Sequence, residues 1–93
     1  MIKIVAKNIL KKDQREKFIK LAEELIEKSR QEAGCISYGL FEDINDNSIL
    51  TFIEEWEDSK AIEKHNNTEH FKRIIPLLAE LRVDKKSNLY KEI

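Results

Sequence analysis

EAGCISYGLFEDINDNSILTFIEEWEDSKAIEKHNNTEHF, residues 32–71, holds in order a helix end, two strands with a turn between them, Trp56, and two histidines spaced H-x4-H. Of the aromatic residues only Phe18 and Tyr90 lie outside it. Groups able to move protons are thus concentrated beside apolar strands, which suits a small-molecule pocket. Gly34 is the expected residue just past a helix C-terminus. Cys35 to Glu42 reads as one strand and Ile49 to Trp56 as another. Asp43 to Asn47, rich in Asp and Asn, reads as the turn of a hairpin.

Working outward, Ile2 to Leu10 alternates apolar and polar residues, as a half-buried strand does. Asp13 with Glu16 three residues on resembles a capping box. Phe18, Leu21, Ala22, Leu25, Ser29 and Ala33 follow at helical spacing, with lysines and glutamates between them. Downstream of the hairpin, Asp58 or Ser59 caps a short helix that runs through His65. Asn66 and Asn67 break it, and Thr68 restarts it with Phe71, Ile74, Ile75 and Leu78 on its apolar face. Pro76 lacks a backbone donor, so a kink or restart is expected there. Ser87 to Ile93 reads as a last strand. The order β-α-β-β-α-β over one domain, 1–93, predicts an α+β, ferredoxin-like fold: a four-stranded antiparallel sheet with its helices on one face.

The two sheet faces then make a further demand. Ile36, Tyr38 and Leu40 are expected to oppose Cys35 and Phe41, and Leu50, Phe52 and Trp56 to oppose Ile49, Thr51 and Ile53. Both faces are apolar, yet the helices cover one. A bare apolar face of several hundred Å² is unusual on a monomer. A homodimer packed sheet to sheet is expected.

Composition narrows the partners. Formal net charge is −1 over 93 residues, so there is no basic footprint for nucleic acid. The single cysteine, Cys35, permits neither an internal disulfide nor a cysteine metal cluster. No apolar run approaches the ~20 residues of a membrane span. Met1 leads into a strand with no signal-peptide pattern, so a cytoplasmic location is expected.

Each candidate site residue has a plain reading beside its functional one. Asn8 is a strand-end amide or a donor to a substrate oxygen. His65 favours the C-terminal end of its helix dipole, or faces the cleft as a proton acceptor. His70 is a structural histidine near Trp56 or a base at the start of its helix. Trp56, Phe71, Tyr38 and Phe41 are core residues or pocket walls. Glu54 shares a face with Phe52 and Trp56, and is either a salt-bridged residue or a carboxyl of raised pKa. Cys35 reads as an inert thiol. The histidines are not at the i, i+4 spacing of a helical zinc pair, and no H-E-x-x-H pattern is present. No metal is expected. The only glycines, Gly34 and Gly39, form no phosphate-binding loop, and no bound cofactor is expected.

Three motifs together resemble one family. E-x-G-C-x-x-Y at Glu32–Tyr38, I-E-x-W at Ile53–Trp56 and H-x-x-T-x-H-F at His65–Phe71 are similar, in order and separation, to the antibiotic biosynthesis monooxygenases, especially their quinol-monooxygenase-like branch. The resemblance spans nearly the whole chain. It implies a dimeric ferredoxin-like α+β barrel and oxygenation of a quinol-, phenol- or anthrone-like molecule by O₂ without metal or flavin. His65 or His70 would be the base, Asn8 the donor, and Trp56 and Phe71 the walls. Some relatives isomerise small phosphorylated molecules, for which Lys72 and Arg73 are candidate phosphate contacts. Others degrade haem. Their iron-ligating histidine would fall here at Ile75 or Pro76, neither of which can ligate iron. A dimeric barrel that binds a small ligand without catalysis is the remaining alternative.

Overall fold

A computed structural model describes residues 1–93. Its elements are β1 (Ile2–Leu10), α1 (Arg15–Arg30), β2 (Cys35–Asp43), β3 (Asp46–Trp56), α2 (Ser59–Asn66), α3 (Glu69–Ala79) and β4 (Arg82–Lys91). The strands form one antiparallel sheet in the order β2-β3-β1-β4. This is the ferredoxin-like arrangement, with the second helical region divided into two helices. No helix is long and apolar enough to cross a membrane.

The core lies between the sheet and the helices. Strand β1 buries Ile4, Ala6, Asn8 and Leu10, and β3 buries Leu50, Phe52, Glu54 and Trp56. Against them α1 sets Phe18, Ala22, Leu25 and Ser29, while α3 sets Ile74 and Leu78. On the other face Val5 pairs with Ile53 and Ile9 with Ile49. No helix covers that face, where Phe41 is 53% exposed.

Several local expectations are corrected. Asp13 does not cap α1. It adopts φ 63°, a left-handed conformation that Asp tolerates better than most residues, and lies one residue before the cap position. Gln14 occupies the cap position without a side-chain bond. Gly34 is not a left-handed C′ residue either: α1 ends at Arg30, and no glycine has positive φ. What requires glycine is a close approach, since a Cβ on Gly34 would lie 2.2 Å from Ala61 Cβ in α2.

Strand β2 carries an irregularity at Ile36. Cys35 pairs with Trp56 but Ser37 pairs with Glu55, so Ile36 is the extra residue of a bulge. The alternation therefore resets. Cys35 joins Tyr38 and Leu40 on the helix side, and Ile36 is 53% exposed. The hairpin turn is tighter than 43–47, because Asp43 and Asp46 are already paired, and Asp43 Oδ1 accepts from the amides of Asn45 and Asp46. Helix α3 continues through Pro76 to Ala79 without restarting. Strand β4 begins at Arg82, well before Ser87. Its charged first half hides the strand pattern, but backbone pairing with β1 extends it.

Candidate active site

Three parts of the chain converge on one carboxylate. Glu32 sits in the turn after α1, held by Glu32 N–H donating to Ser29 O at 3.1 Å and Cys35 N–H to Glu32 O at 3.0 Å. His65 closes α2, and His70 opens α3. Between them Thr68 caps α3: its Oγ1 accepts from Phe71 N–H at 3.2 Å and donates to His65 O at 2.8 Å. The helix break at Asn66–Asn67 thus aims both rings back toward the α1 turn. His65 Nδ1 lies 2.8 Å and His70 Nε2 2.7 Å from the same oxygen, Glu32 Oε2. With a carboxylate accepting, both nitrogens carry their protons toward Glu32.

His65 is clamped as well as bonded. Its ring centroid is 4.4 Å from that of Trp56, 5.0 Å from Phe71 and 5.6 Å from Tyr38. The residue is 2% exposed. Burial lowers its pKa from the ordinary value, opposed by the hydrogen bond and charge of Glu32. Its Nε2 has no protein partner, yet Ser29 Oγ is the one fully buried side-chain polar atom lacking a partner. Nε2 is thus left unpaired and not fully enclosed, and His65 lines a cavity.

That cavity is about 220 Å³. Asn8, Tyr38, Phe52, Glu54 and Phe71 contribute to its walls, and Arg82 and Lys85 bring two cations from β4. It lies between the sheet and the second helical region. Trp56 is fully buried behind His65 and supports the ring without reaching the cavity. His70 is not on the cavity wall. It holds Glu32 from the far side. Phe41 lies on the other sheet face, away from this cavity.

Asn8 is placed in the cavity but is already occupied. Its Nδ2 donates to Ala6 O at 3.1 Å and Leu50 O at 3.2 Å, and its Oδ1 accepts from Arg82 Nη1 at 3.2 Å. The amide has no proton left for a substrate. It orients Arg82 instead. The cations expected for a phosphate contact are elsewhere too: Arg73 is tied to Glu24 and Glu69 on the surface, and Lys72 is exposed.

Two further ionisable groups face the cavity. Burial pushes the Glu54 carboxyl up to about 7, against the hydrogen bond from Trp56 Nε1 at 2.9 Å and the charge of Lys85. Burial also raises the Tyr38 phenol far above its ordinary value, helped by the charge of Glu54, so its hydroxyl stays protonated. Burial raises the Cys35 thiol likewise, which leaves it unreactive.

Glu32, His65 and His70 also form a donor set of the kind a metal takes, which a search along one helix misses. The three donor atoms lie within 4.8 Å of one another. Two histidines and one carboxylate suit several divalent transition metals. Ligands bound at about 2.1 Å around a tetrahedral ion stand roughly 3.4 Å apart. The 2.7 and 2.8 Å contacts are shorter, so the cluster is closed on its own protons and a metal would have to spread it.

Comparison with known proteins follows the same outline. The family model described as antibiotic biosynthesis monooxygenase matches residues 1–77. An uncharacterised Synechocystis protein is 40% identical over 73 residues, 77% of this chain and 50% of that protein. The chain therefore spans half the length of that relative. YcnE of Bacillus subtilis, named as a candidate monooxygenase, is 35% identical over 87% of this chain and 85% of its own length. A crystal structure of an antibiotic biosynthesis monooxygenase superposes with a TM-score of 0.94 at 37% identity, covering 100% of this chain and 99% of the other.

Proposed function

Because the chain belongs to the antibiotic biosynthesis monooxygenase family, we propose that it oxygenates a small quinol-, phenol- or anthrone-like substrate with O₂, with His65 as the base. The observation that carries this reading is the His65 ring, which lines the cavity and is held at Nδ1 by Glu32 while Nε2 is left unpaired. A neutral imidazole in a fixed tautomer is the form a general base needs, and the lowered pKa keeps it neutral at pH 7.

The step balances without a further reductant. His65 Nε2 takes a proton from the activated carbon or hydroxyl, leaving an electron-rich anion. The anion gives one electron to O₂, and the substrate radical and superoxide combine into a carbon–oxygen bond. The peroxide takes the proton back from His65. The O–O bond then breaks as the same carbon loses its remaining hydrogen, giving a carbonyl and water. One oxygen atom enters the product, and the substrate supplies both electrons. Arg82 and Lys85 give the cavity a positive potential that favours the anion over the neutral substrate. Glu32 holds the base, and His70 braces Glu32 from outside the cavity.

The uncovered sheet face supports pairing of two copies. A second reading, isomerisation of a small phosphorylated molecule, is favoured by the two cations on β4. There the same base would carry a proton between neighbouring carbons.

The test is oxygen uptake with 1,4-naphthohydroquinone by protein treated with a chelator. A positioned general base is worth about 10²–10⁴ in rate. His65→Ala is expected to lose at least the lower end of that range, and His70→Ala less, since it acts through Glu32. Chelation is expected to leave the wild type unchanged. Full activity in His65→Ala would remove the proposed base, and loss on chelation would remove the metal-free step.

A further inference from the structure

The cavity holds two cations and no carboxylate paired with either. Arg82 and Lys85 both line it, and neither makes an ion pair within 4.0 Å. Arg82 has one side-chain partner, the neutral Asn8 Oδ1 at 3.2 Å. That oxygen cannot swing away, because the Asn8 amide is pinned by two backbone carbonyls and the residue is 1% exposed. The guanidinium is therefore held in one orientation with most of its five donors unused. Lys85 stands opposite Asn8 in the β1–β4 register, on the same sheet face.

No surrounding acid forms an ion pair with either cation, although Glu54 and Lys85 act on each other's charge across the cavity. Asp84, between the two cations in sequence, pairs with Ile9 and so faces the other side of the sheet. Glu54 lines the cavity, but burial holds a proton on it over much of the range below pH 7. Glu32 is occupied by the two histidines. Arg82 is partly buried and has no counter-charge, which an anion would supply, and Lys85 lies exposed at the same end of the cavity. Arginine's planar fork matches a carboxylate or a phosphate through two parallel hydrogen bonds.

We infer that Arg82 and Lys85 form an oxyanion subsite, so that the substrate is a small ring compound carrying a carboxylate or phosphate beside the hydroxyl that His65 deprotonates. The inference rests on the cavity being the substrate site proposed above, and it names what that site selects. Volume agrees: 220 Å³ is below the ~300–1,000 Å³ of drug-sized sites, which limits the substrate to one or two rings. The charged group would lie toward β4 and the reacting hydroxyl toward α2. Binding energy from the charged end would then fix the ring against the base.

Three probes separate the outcomes: 1-naphthol, 1-hydroxy-2-naphthoate and 1-naphthyl phosphate, titrated against the intact protein by their own fluorescence with O₂ excluded so that none is turned over. At least one anion is expected to bind ten or more times tighter than 1-naphthol, and which one identifies the oxyanion. Lys85→Gln is expected to cut that preference several-fold and Arg82→Gln to abolish it, both with 1-naphthol affinity retained. Lys85 is exposed on an edge strand, so its variant tests the subsite even where loss of Arg82 disturbs Asn8. Raised salt should narrow the gap as well. Equal binding of all three probes by the wild type would overturn the oxyanion subsite while leaving the cavity as the site. Binding of none would overturn both.

Discussion

Replacing Gly34 with Ala tests how the turn after α1 sets the position of α2. The new methyl carbon would sit 2.2 Å from Ala61 Cβ and 3.4 Å from Ala61 Cα. Apolar carbons rest about 3.5–4.0 Å apart, so the turn and α2 must separate by roughly 1.5 Å. Neither side yields easily. Gly34 O accepts from Glu57 N–H at 2.9 Å, and Asp58 Oδ1 caps α2 by accepting from Ala61 N–H at 2.9 Å. Overpacking of this kind costs about 1–3 kcal/mol. His65 is one helical turn beyond Ala61 on the same face, so the shift also draws its ring from Glu32 and the cavity. A misplacement of about 1 Å can cost about 10²-fold in rate. The expected result is a moderate fall in urea stability with a disproportionate fall in kcat for naphthohydroquinone oxidation. Ala61→Gly in the same chain removes the clash, at about 1 kcal/mol for glycine in a helix, and is expected to restore most of the activity. Wild-type stability and rate in Gly34→Ala, or no recovery in the double variant, would refute the reasoning.

Two further outcomes follow from the same structure. The Glu54 carboxyl is raised from 4.5 to about 7 by burial. Between those values the folded chain keeps a proton that the unfolded chain has released, so this group's contribution to stability falls as pH rises from about 4.5 to about 7. Glu54→Gln, of like shape and still able to accept from Trp56, should match wild type at pH 4 and exceed it at pH 8 by roughly 3 kcal/mol. Urea titrations that show the same gap at both pH values would exclude a raised carboxyl. His65, with its lowered pKa, acts in the opposite direction below about 6.5, but in both proteins alike, so it drops out of the difference. For the uncovered sheet face, sedimentation equilibrium at low micromolar concentration is expected to give twice the 11.0 kDa chain mass. Val5→Lys or Ile53→Lys is expected to shift it to monomer, and a wild-type monomer would sink the sheet-to-sheet pairing.

Legibility from sequence followed the range of each interaction. Strand and helix order came from periodicity, which is local, and the ferredoxin-like fold followed from that order. The errors were local features overruled by distant partners. Local pattern makes Gly34 a helix stop, but its constraint is Ala61, remote in sequence. Simple alternation placed Ile36 with Tyr38, whereas pairing with β3 inserts a bulge. In the site, His65, Tyr38 and Phe71 were legible because aromatic and imidazole groups among apolar strands stand out. Glu32 belongs to the E-x-G-C motif, but its role is invisible in sequence, since it depends on a turn aiming it at two rings more than thirty residues away. Arg82 and Lys85 were lost among the chain's many charges. The signal that finds them is register: opposite Leu10 and Asn8, they inherit the helix-side face of β1.

The E-x-G-C turn thus links the fold to the proposed chemistry through two residues with different duties. Gly34 lets α2 approach until Ala61 touches the turn, and that approach brings His65 within 2.8 Å of Glu32. Glu32 then converts proximity into a tautomer by accepting the Nδ1 proton, which leaves Nε2 unpaired. His70 binds the same oxygen from α3, so the carboxylate also ties the start of α3 to the end of α2 across the helix break. Neither duty works alone. A carboxylate without the close approach would reach no ring, and a close approach without the carboxylate would leave a clamped imidazole with no acceptor to fix its tautomer. The spacing of Glu32 and Gly34 therefore matters as much as their identities: an insertion between them would keep both residue types and still separate the acceptor from the base it holds.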